Sequence, residues 1–115
     1  MIKPNYLSVA LFLLILISNI RATTYYVDSK GGNDANSGTS SSAAWNSISK
    51  VNSYGFNSGD IVSFKCDDRF SGTTITGKSN ITFNSYGSGA KPVIDGQSSR
   101  DCFDLQYQSN VTFNN

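Results

Sequence analysis

The chain contains no histidine and no glutamate. The missing imidazole excludes a Ser-His-Asp or Cys-His nucleophilic site, and any His-ligated zinc, from these residues. The missing glutamate leaves two-carboxylate chemistry to eight aspartates alone. It also removes a good helix former, while the abundant Ser, Thr, Asn, Asp and Gly favour turns and strands. Nine Lys and Arg face those eight Asp, so the chain also lacks an excess of either charge. A near-neutral surface gives no electrostatic ground for binding nucleic acid or anionic lipid.

A membrane-length apolar run is missing too. The run from Leu7 to Ile17 is broken only by Ser8 and falls short of the ~20 residues that span a bilayer. Lys3 precedes it, and a short polar-to-small tail from Ser18 to Ala22 follows. This is the layout of a secretory signal, with cleavage expected after Ala22, the alternative being a retained anchor. Residues 1–22 are therefore read as a signal peptide, and the rest as an extracellular or cell-surface protein free of the membrane. Cleavage removes Lys3 and Arg21, leaving seven basic against eight acidic side chains. What remains suffices for one small domain, expected as a monomer. Cys66 and Cys102 then sit in a chain bound for an oxidising compartment. They form either a disulfide or two buried thiols, since sequence does not show their proximity.

What is present reads as strand and turn. Thr24 to Val27 is β-branched and aromatic, a short strand. A Gly- and Asn-rich loop without apolar period follows to Ser42. Trp45, Ile48 and Val51 then recur every third residue, predicting one or two helical turns with a single apolar face. From Gly59-Asp60 onward, extended stretches at 61–64, at Phe70 together with 73–76, and at 81–83, 92–94, 102–105 and 111–113 alternate with turns.

The hexapeptide Ser79-Asn80-Ile81-Thr82-Phe83-Asn84 returns thirty positions later as Ser109-Asn110-Val111-Thr112-Phe113-Asn114. That period is typical of stacked-coil folds. Three short strands fall between the copies, which is one coil of a three-faced parallel β-helix. Each strand would pair with its equivalent one coil away. Ile81, Phe83, Val111 and Phe113 would point inward, with Thr82 and Thr112 outward. A β-sandwich also has short, regularly spaced strands, but it requires no such self-similarity.

Several pieces carry a family resemblance: Tyr25-Tyr26-Val27-Asp28, Gly32 to Thr39, Trp45 to Val51, Gly59 to Lys65, Ile81-Thr82-Phe83 and Pro92 to Gly96. In their order and spacing the chain resembles the N-terminal segment of secreted right-handed parallel β-helix proteins of the pectate-lyase-like superfamily. The resemblance implies an all-β fold in which residues 23–58 form an N-terminal strand, loop and capping helix. Residues 59–115 would form about three incomplete coils. It further implies that Trp45, Ile48 and Val51 cover the open end, which would otherwise expose core and strand edges. Ending on an apolar strand with no second cap, the sequence reads as a truncated piece of a longer protein.

Asp28, Asn33, Asp34 and Asn36 place four oxygen-bearing side chains in one loop, a candidate Ca²⁺ site. The spacing is not that of an EF-hand, and the plainer reading is a loop shaped by Asx turns. Lys65, Asp67, Asp68 and Arg69 form the densest charged cluster. In lyases of the resembled family, Asp-bound Ca²⁺ and a basic residue remove a proton beside the substrate carboxylate, but here the cluster reads as a solvated turn. Tyr25, Tyr26, Tyr54, Tyr86 and Tyr107 could stack on sugar rings if exposed together, and are otherwise half-buried amphipaths. Asn80 and Asn110 match the glycosylation pattern but also suit coil corners. Asp95, Asp101 and Asp104 lie on or beside one coil, the only group placed to flank a bond, although turn formation at Asp95-Gly96 is the plainer role. No catalytic set is expected in this chain. The resemblance implies a parent acting on polysaccharide or cell-surface glycan as lyase or hydrolase, with a non-catalytic surface or adhesion protein as the alternative.

Overall fold

The computed structural model describes residues 21–71, 74–76, 78–96, 103–104 and 112–114, with 103, 104 and 113 described by their backbone alone. The expected signal segment up to residue 20, together with Asp101, Cys102, Tyr107, Asn110 and Val111, lies outside the described residues.

The fold is mostly β with little helix. Its strands are β1 (Thr24–Val27), β2 (Ile61–Lys65), β3 (Arg69–Ser71), β4 (Ile75–Thr76), β5 (Thr82–Tyr86), β6 (Val93–Asp95), β7 (Phe103–Asp104) and β8 (Thr112–Phe113). One 3₁₀ turn (Ser41–Ala43) and one α-helix, α1 (Ile48–Ser53), stand between β1 and β2. Three sheets form, with strand orders β1-β2-β5-β8, β3-β6 and β4-β7. Every pairing within them is parallel. The chain thus visits the sheets in rotation, leaving each one and returning to lay the next parallel strand beside the last.

Register follows the repeated hexapeptide. Thr82 pairs with Thr112 and Phe83 with Phe113, as their equivalent places in the two copies predict. In the same sheet Tyr25, Val62 and Phe83 form one row and are all buried. Alternation along each strand sends Val27 and Phe64 to the same interior. Phe64 stacks on Phe83 with centroids 6.3 Å apart and meets Phe70 of β3 edge-on at 5.1 Å. Ile75 of β4 and Ile81 close the core. Burying side chains of this size stabilises by roughly 1.5–3 kcal/mol each. The extended stretch expected around Phe70 to Thr76 is two strands in two different sheets.

At the N-terminal end the expected helix needs one correction. Trp45 is not in the helix; it forms a parallel bridge with Val27 three residues before α1 begins. Its ring is buried, stacked on Tyr25 at 5.0 Å, with Tyr54 and Phe56 completing an aromatic group. Its indole N–H donates to the Asn36 carbonyl at 2.9 Å. Helix α1 starts because the Ser47 hydroxyl accepts the Lys50 N–H at 3.2 Å, an N-cap. It buries Ile48 and Val51 and ends at Tyr54, whose backbone is extended. Gly38 has φ +76°, and a Cβ there would fall 2.4 Å from the Trp45 ring, so only glycine fits.

In the last turn of α1, the Asn52 side chain substitutes for a strand. It donates to the Thr74 carbonyl at 2.8 Å and accepts the Thr76 N–H at 3.0 Å, occupying the outer edge of β4. The Lys78 ammonium, nearly buried, donates to the carbonyls of Asn52 (3.0 Å) and Tyr54 (3.1 Å), tying the helix end to the segment before β5. Burial lowers its pKa.

Candidate functional site

Two clusters distant in sequence meet at the C-terminal ends of β1, β2 and β5. The Asp28 carboxylate leaves β1 and accepts the N–H groups of Lys30 and Gly31 through Oδ1, both at 2.9 Å. Its Oδ2 accepts the Lys65 ammonium at 3.1 Å. Asp68 in turn accepts the Ser29 N–H at 2.8 Å and stands 3.6 Å from the Lys30 ammonium. Lys30 also donates to the Asp67 carbonyl at 3.0 Å. Asp67, at φ +64°, holds a turn by accepting the Ala90 N–H at 2.8 Å.

Asp28 and Asp68 are both buried, Asp68 at 3% exposure. The solvated-turn reading of Lys65 to Arg69 therefore fails at Asp68, whose partners lie 38 and 39 residues away on the β1 loop. Burial opposes ionisation of Asp28. The Gly31 and Lys30 N–H groups, the Lys65 ammonium and Asp68 outweigh it, and hold its pKa at about 2. The Asp28 hydrogen bond and charge in turn raise the Lys65 pKa.

Tyr86 borders this cluster, pairing with Lys65 across the sheet. Burial first, then the negative charges of Asp28 and Asp68, push its phenol up to about 12. Its hydroxyl is inaccessible and lacks a hydrogen-bond partner, and the Asn84 Oδ1 on the same strand shares that state. Tyr26 meets Tyr86 edge-on at 5.0 Å. Of the tyrosines singled out by sequence, Tyr26 and Tyr86 thus belong to one outer sheet face, while Tyr25 and Tyr54 belong to the aromatic cap and share a 3.1 Å hydroxyl contact.

The loop residues considered for Ca²⁺ are drawn into separate local networks. Asp34 Oδ1 accepts the N–H groups of Asn46 and Ser47, and its Oδ2 accepts the Ser47 hydroxyl. Burial raises the Asp34 pKa, yet these bonds outweigh it and the net shift is downward. Asn33 Oδ1 accepts the Ala35 N–H, an Asx turn, and Asn36 donates to the Ala44 carbonyl. With both carboxylates engaged by N–H and O–H donors, the four side chains fit a hydrogen-bonded loop better than a cation cage. Among the described residues no group of three or more His, Cys or Asp side chains could hold a metal ion.

Asp28 and Asp68 are both buried and bound by N–H donors, a setting that suits a structural joint better than a glycosidase pair with a bond held between its carboxyl groups. Asp95 is engaged by Arg69 across β3 and β6. Asp104 is placed on β7 beside Thr76, and Asp101 lies outside the described residues. Cys66 is half-buried just after β2, while Cys102, its possible disulfide partner, lies outside them.

Sequence reasoning passed over Asp60, which is 1% exposed. It accepts the Thr23 N–H at 3.0 Å and the Asn57 N–H at 2.8 Å, fixing the starts of β1 and β2 together. Its place directly after Gly59 and before an apolar strand was the available signal. A polar cleft of about 200 Å³ lies between the cap and β3. Ser29, Asn46, Ser47 and Ser49 line it from the cap, and Arg69, Phe70 and Ser71 from the strand.

No family model matches the chain. It is similar to a lacto-N-biosidase of Bifidobacterium longum subsp. longum, with 35% identity over 101 residues, covering 77% of this chain and 6% of the relative. Among solved structures it is similar to the GH136 lacto-N-biosidase from Eubacterium ramulus. The selenomethionine form gives a TM-score of 0.60 at 30% identity over 64% of this chain. The native form gives 0.62 at 26% identity over 76%. The chain spans 13–14% of the length of those solved chains.

Proposed function

We propose that this chain is the N-terminal part of an exported glycoside hydrolase acting on glycans, built on a right-handed parallel β-helix of the pectate-lyase-like kind. In this reading residues 1–22 direct export, and the cap and first coils carry no catalytic set of their own. The observation that carries the reading is the 35% identity to a lacto-N-biosidase over 77% of the chain. The rotation of the chain through three parallel sheets, with Thr82 over Thr112 and Phe83 over Phe113, supports the coil architecture.

The short share of the relatives' length that this chain spans supports placing catalysis on coils outside it. The role left to these residues is to start the stack. The Tyr25, Trp45, Tyr54 and Phe56 group seals the first coil, and the Asp28–Lys65–Asp68 cluster pins the covering loop to it.

The test is to express the longest reading frame containing this segment and assay release of lacto-N-biose from glycans that end in it. Release of the disaccharide upholds the reading. Inactivity there, with unsaturated products from pectate or alginate, would replace the hydrolase by a lyase. Glycan binding without turnover would favour a surface protein.

A further inference from the structure

We propose that the cleft beside β3 binds one sugar residue of a glycan, an inference that rests on the glycan-active reading above. The cleft sits where the cap leaves one strand edge open. β1 covers the edge of β2, and the Asn52 amide covers the edge of β4. β3 is paired with β6 on one side only, and among the described residues neither strand nor side chain bonds its other edge. That edge faces the cleft, so Arg69 and Ser71 line it along with the cap serines.

The lining selects a ligand class. Among the described residues that line the cleft there is no carboxylate, which argues against a cation. Its carbon surface comes from Ile48 and Phe70, both 3% exposed, so an aliphatic ligand would find little to cover. A free edge of three residues is short for strand addition by a peptide.

What the cleft offers is hydrogen bonding. Ser29, Ser49 and Ser71 bring hydroxyls that make no hydrogen bond with another described side chain. Asn46 uses its NH₂ on the carbonyls of Asp28 and Ser29, leaving Oδ1 as an acceptor. Arg69 gives Nη2 to Asp95, and its side chain is 63% exposed, so further N–H donors face solvent. A polyhydroxylated ring matches this mixture of donors and acceptors. Such a contact would hold a glycan near the cap while the reacting unit sits elsewhere.

The experiment follows amide shifts of the isotope-labelled full chain during titration with lacto-N-biose and, separately, with inorganic phosphate. The expected result is saturable shifts confined to residues 46–49 and 69–71, with a Kd on the order of 1 mM. Ser71→Tyr, which fills the cleft from an exposed strand position, should weaken binding about tenfold. Arg69→Gln should weaken it as well, and stands in if Ser71→Tyr does not fold. Absence of shifts in these segments, a response to phosphate alone, or unchanged affinity in the variants overturns the proposal. Disaccharide release by the longer protein with an unresponsive cleft would sink this inference alone. A responsive cleft in a protein that hydrolyses no glycan would sink the hydrolase reading alone.

Discussion

The Lys65 ammonium donates to the Asp28 carboxylate at 3.1 Å, joining the end of β2 to the loop that leaves β1. Asp28 is the hub of this joint, because the same carboxylate also gathers two backbone N–H groups. Its pKa falls from the ordinary 3.8 to about 2. A carboxylate with a depressed folded-state pKa contributes stability that is fully present above its unfolded value and lost as pH falls through the folded one. Stability should therefore decline by roughly 2 kcal/mol between about pH 4 and pH 2 through this group. Urea denaturation across that range checks it. Asp28→Asn should be less stable at pH 6, and its curve should lack this part of the acid dependence.

Gly38→Ala should disturb the cap, since the new Cβ would meet the Trp45 ring and the backbone sits at φ +76°. Strain of this kind costs about 1–3 kcal/mol. Trp45 is the only tryptophan in the chain. Its emission should shift to the red in the variant, and unchanged emission with unchanged melting would contradict the packing.

The Asn52 amide makes two strand-like bonds at the edge of β4. Asn52→Ala should lose both, at roughly 1–3 kcal/mol in total. Asn52→Asp keeps the acceptor for the Thr76 N–H and loses the donor to the Thr74 carbonyl, so it should fall between. Hydrogen exchange of the Thr76 amide separates the two, with protection retained in the aspartate variant and lost in the alanine one.

Lys78→Met keeps the length of the side chain but leaves the Asn52 and Tyr54 carbonyls without their ammonium donor. An unpaired buried carbonyl costs about 1–3 kcal/mol. The loss should appear as a lower melting temperature with α1 exchanging first. A variant as stable as the parent would mean that relief from burying the charge offsets the lost bonds.

The sequence disclosed local and repeated features well and long-range ones poorly. The Thr82–Thr112 and Phe83–Phe113 register was legible because two copies of one hexapeptide must occupy equivalent places in a stack. The cap's apolar face was legible from Ile48 and Val51, but the same three-residue spacing drew Trp45 into a helix it does not join. A bridge to Val27 decides its backbone, and periodicity carries no trace of a partner eighteen positions earlier. Asp68 looked solvated because its neighbours in sequence are charged, while its burial comes from Ser29 and Lys30. The Asp28 loop and the Lys65 cluster were each visible, but their meeting was not.

This chain, expressed alone, should release no sugar from lacto-N-biose-terminated glycans. Retaining and inverting hydrolysis both need an acid and a second carboxylate held about 5–9.5 Å apart with the bond between them. Asp28 and Asp68 are buried and held by N–H donors, Asp34 is wrapped by Ser47 and Asn46, and Asp60 is bound to two backbone N–H groups. Asp67 holds the Ala90 turn, and Asp95 faces Arg69. The measurement is disaccharide release from the purified chain beside the longer protein at equal concentration. Turnover by the chain that disappears in Asp104→Asn or in Asp101→Asn would place catalysis within these residues and overturn the expectation. Residual turnover equal in both variants and in the parent chain would point to a contaminating enzyme and leave it standing.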